Sequence, residues 1–216
     1  MIGKKILITA GPTREDIDPV RFIGNRSSGK MGYALAASCA ARGAEVILIS
    51  GPVNLLMDDP SVHLIKVITA EEMYQQCMEY FPGCHAAIMS AAVSDFTPKV
   101  KGMNKIKRGN KKISLELVPT KDIAASLGEM KTARQVLVGF ALESDNEIVN
   151  ARKKLIEKNL DFIVVNSLRV EGAGFESDTN KITIIDRDNN IEEFELKHKK
   201  EVAEDIVDKL ETYMNG

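Results

Sequence analysis

The sequence predicts an α/β fold: a doubly wound, Rossmann-like parallel sheet with helices on both faces and a small added β segment. Three observations carry this expectation. Runs such as KILIT, EVILIS, AAIM and FIVVN are apolar throughout rather than alternating, as in strands buried on both faces. Segments with helical periodicity stand between them, so strand and helix alternate along the chain. Gly or Pro punctuates the junctions, at Gly11, Gly43 and Gly51-Pro52.

In chain order, residues 4–9 form the first strand, ending at a Gly. Residues 30–43, KMGYALAASCAARG, are rich in Ala, Leu and Met, with Gly43 as the stop of a helix. AEVILIS is the second buried strand. TAEEMYQQCMEYF opens with a capping box, Thr69 and Glu72, and continues as an amphipathic helix. Residues 86–90 and 136–142 are short apolar strands. SDNEIVNARKKLIEKNL offers a second capping box, Ser144 and Glu147, and a helix to Asn159, followed by the strand DFIVVNS. Two segments break the rhythm. Residues 113–118 alternate in character and read as an extra strand, and residues 181–196 read as a hairpin turning at 187–190. Residues 199–214 form a last helix with Val202, Ile206, Leu210 and Met214 on one stripe. With no repeat and no low-complexity linker, the 216 residues read as a single domain, 1–216.

The chain is 44% hydrophobic and 28% charged, with a formal net charge of -2, so no global field draws it to nucleic acid or to an anionic membrane. No apolar run approaches the roughly 20 residues of a membrane span, and the apolar core of the N-terminus is too short for a signal peptide. Cys39, Cys77 and Cys84 form no C-x-x-C pair and fit a reducing cytoplasm, and Cys39 reads as a small packing residue. The histidines are scattered, so no protein-built metal site is expected.

GNRSSGKM, residues 24–31, misses the phosphate-binding P-loop pattern by one residue: Met31 stands where a Ser or Thr hydroxyl should hold magnesium. The first strand also ends about 14 residues too early for such a loop. The dinucleotide pattern G-x-G-x-x-G fails as well, because Gly29 and Gly32 leave the first glycine unplaced. What survives is simpler. Ser27, Ser28 and Gly29 precede a helix whose free N–H groups and dipole favour an anion, with Arg21, Asn25 and Arg26 as further donors. A plain Ser N-cap competes with that reading for the serines. It does not account for so long a loop at the carboxyl end of a strand.

Four other stretches offer chemistry. SAAVSDFTPK follows a strand end, and its Asp95 and Phe96 suit a ribose and a base or an ordinary loop. NKIKRGNKK is either a solvated basic hairpin or a flap that meets phosphates. In LVPTKDI, Thr120, Lys121, Asp122 and Ile123 mark a second helix start with outward N–H groups, a feature shared by any helix start. Lys154 and Lys158 lie four apart on one helix face, commonly a solvated surface.

Together, ITAGPTREDIDPVRFIGNRSSGKMG, GPV, SAAVSDF, KIKR, VGFALE, KNLDFIVVN and GFESDTNKITII closely resemble phosphopantothenoylcysteine synthetase, a coenzyme A biosynthesis enzyme, across residues 6–185. The resemblance implies a ligase that joins 4'-phosphopantothenate to L-cysteine through an acyl-nucleotide. The KIKR and AAVSDF wording resembles the bacterial type, which uses CTP with Mg2+ and releases CMP and pyrophosphate. It implies Asn25 and Lys105 as catalytic residues, with Lys107 and Arg108 beside the latter. It implies that Arg21, Asn25, Ser27, Ser28 and Gly29 serve the substrate. Ala91, Ala92, Asp95, Lys105, Thr120, Lys121, Asp122, Ile123, Phe140, Lys154 and Lys158 would serve the nucleotide. The PTKD wording departs from the family pattern, which puts the phosphate-binding N–H groups of that helix start in doubt. A homodimer is implied, built through residues 113–118 or the 181–196 hairpin. Association or fusion with a flavin-dependent phosphopantothenoylcysteine decarboxylase is also implied, although no such domain and no need for FMN is read in this chain. The rival readings are an NAD(P)-dependent oxidoreductase on the same fold and a non-enzymatic nucleotide-binding module. The first predicts a tight glycine turn and an acid ending the second strand, where Ser50-Gly51 stand instead.

Overall fold

A computed structural model describes residues 1–108, 112–143, 146–167 and 177–215. The main-sheet strands are β1 (Lys5–Ala10), β2 (Glu45–Ser50), β3 (Val62–Lys66), β4 (Ala86–Met89), β5 (Val136–Glu143), β6 (Phe162–Ser167), β7 (Ile182–Asp186) and β8 (Ile191–Glu193). The helices are α1 (Lys30–Ala41), α2 (Ala70–Tyr80), α3 (Ile123–Met130), α4 (Glu147–Glu157) and α5 (Lys199–Asn215). The sheet order is β8-β7-β6-β5-β4-β1-β2-β3. Its first six strands in sequence are parallel, and β7 and β8 extend the β6 edge antiparallel. This is the doubly wound arrangement, and the chain changes direction across the sheet between β1 and β4.

The continuous apolar runs are explained by the two faces they serve. On β1, Ile6, Ile8 and Ala10 pack with Leu35 and Ala36 of α1 and Val202 and Ile206 of α5. Leu7 of the same strand packs with Met73 of α2, Leu127 of α3 and Leu155 of α4. Such double burial leaves no polar face to alternate with. All three cysteines are buried thiols, and burial pushes Cys39 up to about 12 and Cys84 up to about 11. Both pack as apolar residues and carry little thiolate near neutral pH. No helix among the described residues is long and apolar enough to cross a membrane.

The capping box on α2 is present: Glu72 N donates to Thr69 Oγ1 at 3.2 Å, and Thr69 N donates to Glu72 Oε2 at 3.2 Å. The second expected box rests on Ser144, which lies outside the described residues; α4 begins after Asn146, whose backbone is at φ 47°. Three differences concern strands. The edge strand β3 was not legible, because VHLIK is only partly buried and lacks the apolar run of its neighbours. The long loop after β1 contains a hairpin, Arg14–Asp16 with Phe22–Gly24. The strand expected at 113–118 shortens to Leu117–Pro119, paired with Phe96–Pro98. Residues 112–116 are exposed on that ribbon's approach, so alternation there has no buried face to serve.

Candidate functional site

The loops that follow β1 and β4 continue the parallel pairing beyond the sheet. Ala91 N donates to Thr9 Oγ1 at 3.2 Å, Ala92 N to Gly11 O at 2.9 Å, and Ser94 N to the buried Thr13 Oγ1 at 2.9 Å. A third segment joins them, since Thr120 donates from its N to Asp95 O at 2.9 Å and from its Oγ1 to Ser94 O at 2.7 Å. Three turns from distant parts of the sequence thereby meet at the switch point of the sheet, where open α/β folds bind ligands.

A cavity of about 510 Å³ opens there. Its walls include Asn25, Ala91, Ala92, Asp95, Thr120, Lys121, Asp122, Ile123, Phe140, Lys154 and Lys158, all expected from the sequence. Asn25 donates its Nδ2 to Ala92 O at 3.0 Å and Val93 O at 3.2 Å. Its amide hydrogens are thus committed to the cavity wall, and donation to a ligand oxygen requires them to leave it.

The start of α3 differs from the expectation of outward, unpaired N–H groups. Asp122 is its N-cap and accepts from Ala125 N at 3.0 Å, and Lys158 Nζ lies 2.9 Å from the same carboxylate. Burial opposes ionisation of Asp122, but the Ala125 N–H and Lys158 outweigh it and hold the carboxyl below its usual range. An anion at this helix start therefore meets a carboxylate already in place, and its cation is Lys158. Lys121, also at the cavity wall, pairs with Glu71 at 2.8 Å over the Tyr74 ring.

Ser27, Ser28 and Gly29 line a recess of about 40 Å³ that shares Ser90, Phe140, Leu142 and Asn166 with the main cavity. The N-cap of α1 is Gly29 at φ 77°, with no side-chain cap bond, so an ordinary Ser cap does not describe this helix start. At Gly32, an added Cβ would lie 2.5 Å from Ala10 Cβ and 2.8 Å from Ser90 Oγ. Only a residue without a side chain lets the first turn of α1 sit against the ends of β1 and β4. Sequence reasoning missed Asn166, Asn180 and Lys199 in this crevice. Asn180 is buried and donates to Asn166 Oδ1 at 3.0 Å. Only the position of Asn166 at a strand end could have flagged it.

Two expected residues stand outside both the cavity and the recess. Arg21 folds back onto Asp18, Nη2 to Oδ2 at 2.5 Å, and Lys105 is exposed in the basic segment beside it. Neither His nor Cys is among the described residues that line the cavity, so no nucleophile–base pair of that kind is built there. What the arrangement provides is a cavity with Lys154 and Lys158 on its walls.

The chain matches, over residues 1–214, the family described as DNA/pantothenate metabolism flavoprotein C-terminal domain. A relative from an unknown prokaryotic organism, named Cysteine/Cysteine sulfinic acid decarboxylase, is 55% identical over 213 residues, 99% of this chain and 59% of that protein. Coenzyme A biosynthesis bifunctional protein CoaBC of Bacillus subtilis (strain 168) is 46% identical over 208 residues, 96% of this chain and 51% of that protein. A crystal structure of the C-terminal domain of a CoaBC protein matches with a TM-score of 0.84 at 42% identity, covering 100% of this chain and 97% of that one. The chain spans a little over half the length of these two curated relatives.

Proposed function

The chain belongs to the DNA/pantothenate metabolism flavoprotein C-terminal domain family, and from that membership we propose that it is a phosphopantothenate–cysteine ligase. The observation that carries the reading is the cavity at the switch point, where the three turns and Lys154 and Lys158 surround one volume. In this reaction the carboxylate of 4'-phosphopantothenate attacks the α-phosphorus of CTP. The P–O bond to pyrophosphate breaks and an acyl-cytidylate forms. The amine of L-cysteine then attacks the acyl carbon, loses a proton and displaces CMP. Both attacks build negative charge, which preplaced cations and N–H donors stabilise without a nucleophile on the protein. Among the described residues no three His, Cys, Asp or Glu come together as a metal cage. In the proposed reaction magnesium arrives on the triphosphate oxygens.

The oxidoreductase alternative is disfavoured by the end of β2, where Tyr33 Oη donates to Ser50 Oγ at 3.2 Å and no acid stands ready for a ribose. The decarboxylase activity named for the 55%-identical relative belongs, in this reading, to the part of that protein that this chain does not match. The proposed fusion or association partner is a flavin-dependent phosphopantothenoylcysteine decarboxylase. With 4'-phosphopantothenate and cysteine present, pyrophosphate release should be at least about tenfold faster with CTP than with ATP, within the range over which a pocket discriminates between bases. Equal rates would remove the CTP assignment, and no release with either nucleotide would remove the ligase.

We also propose a homodimer. Val20 and Phe22 of the hairpin, Phe96 and Leu117 of the ribbon, and Ile113 and Leu115 on its approach are each exposed, apolar surface that a second copy would cover. Light scattering should report twice the chain mass. Charging Ile113 and Leu115 to Lys should give a monomer, and a wild-type chain that is already monomeric would sink the proposal.

A further inference from the structure

The hairpin after β1 contains a buried carboxylate that the reaction proposed above does not use. Asp18 is 2% exposed and accepts bonds from two directions. Its Oδ1 takes Val20 N at 2.9 Å and Arg21 N at 3.0 Å, the local pattern by which an Asp closes its own turn. A turn needs no more than that one oxygen. Its Oδ2 takes Arg21 Nε at 3.0 Å, Arg21 Nη2 at 2.5 Å and Ile106 N at 3.1 Å. The last bond spans 88 residues of sequence and lands inside the basic segment KIKR.

Ile106 is caught from both sides. Its N–H donates to Asp18, and its carbonyl accepts from Arg21 Nη2 at 2.6 Å. A third bond, from Gly102 N to Ile17 O at 2.8 Å, holds the approach to the segment. The exposed Lys105 and Lys107 flank the pinned residue. Burial alone would raise the Asp18 carboxyl, but the N–H groups of Ile106, Val20 and Arg21 and the guanidinium outweigh it and hold it well below the usual carboxylate range. The charge is therefore present throughout the neutral range and the clasp is closed there.

We propose that Asp18 is a positioning residue for the Lys105–Arg108 segment, clasping Ile106 directly and through Arg21, and that Arg21 acts as the second jaw of this clasp rather than as a substrate ligand. The resemblance assigns Arg21 to the substrate; the geometry assigns its guanidinium to Asp18 and Ile106. Holding the backbone on both sides of Lys105 removes conformations in which its ammonium points away from the reacting phosphate. Displacements on the order of 1 Å at such a group cost about a hundredfold in rate.

Asp18→Asn keeps the shape but turns one oxygen into an amide nitrogen, a donor that cannot accept from both the turn N–H groups and Ile106. Ile106→Pro removes the single N–H from the other side and leaves Asp18 intact. Each variant should expose the segment, raising the initial rate of trypsin cleavage after Lys107 and Arg108 by about tenfold, with a melting temperature within a few degrees of wild type. This arm does not depend on the ligase reading. The kinetic arm does: Asp18→Asn should lower kcat about tenfold with the KM for 4'-phosphopantothenate unchanged, and should cost nothing further in a Lys105→Gln background. Unchanged cleavage in both variants would overturn the clasp. A loss that multiplies with Lys105→Gln, or a rise in substrate KM on Asp18→Asn, would show that Asp18 or Arg21 acts elsewhere. If Lys105→Gln is itself fully active, the ligase role of the segment fails while the cleavage result still decides the clasp.

Discussion

Lys105→Gln should lower kcat by about a hundredfold, the scale on which removing one group that stabilises transition-state charge acts. The side chain is exposed and stands apart from the cavity walls, so the fold has little to lose by its substitution and the melting temperature should not move. Its value in the proposed reaction lies in meeting negative charge on the transferring phosphoryl group. That charge is greatest in the transition state, so kcat should fall more than nucleotide affinity. Lys105→Arg, which keeps the charge but changes its geometry, should recover part of the rate. Pyrophosphate release under single-turnover conditions measures this directly. A fully active Lys105→Gln would return the segment to an ordinary solvated basic loop.

Asn25→Asp should lower overall turnover by a similar factor, about a hundredfold, for a reason that the structure changes. An amide donating to the developing oxyanion at the acyl carbon would make this substitution slow cysteine attack more than activation. In the structure the Nδ2 hydrogens are held by Ala92 O and Val93 O, so Asp would put a carboxylate against two carbonyls. The wall that Ala91 to Val93 provide would shift, and both half-reactions should fall, since misplacement on the order of 1 Å costs about a hundredfold. Rapid-quench analysis with labelled CTP separates the steps. Accumulation of acyl-cytidylate with fast pyrophosphate release would instead show that the amide leaves its carbonyls to serve the acyl oxygen.

How much of the site could be read beforehand depended on the kind of signal. Gly29 before the helix and Gly32 in its first turn bear on chain geometry, and the helix start was legible even though the P-loop pattern failed. Thr120 to Ile123 were placed at a helix start, but not the identity of its cap. An Asp at that position is both an N-cap and a carboxylate, and only the approach of Lys158 from another helix decides how its charge is used. Arg21 was legible as a donor near the loop. Its local pairing with Asp18 went unread, and its engagement of Ile106 was not legible, because a hydrogen bond across 85 residues leaves no mark on local composition.

By itself, the sequence determined the layered α/β class and the positions of its main strands and helices, because double burial demands unbroken apolar runs and helices demand their own period. It also determined that the chemistry lies in loops at strand ends. The tertiary structure decided the rest. The partly exposed β3 is a strand only because β2 offers it an edge to pair with. The order β3-β2-β1-β4-β5-β6 is a matter of which strands pair, and no single strand's residues announce it. The cavity exists only where residues 11–13, 90–95 and 120–122 hydrogen-bond to one another, and those bonds are non-local. Local propensity specifies which elements form, whereas the contacts that make a site are chosen by the closing of the whole sheet.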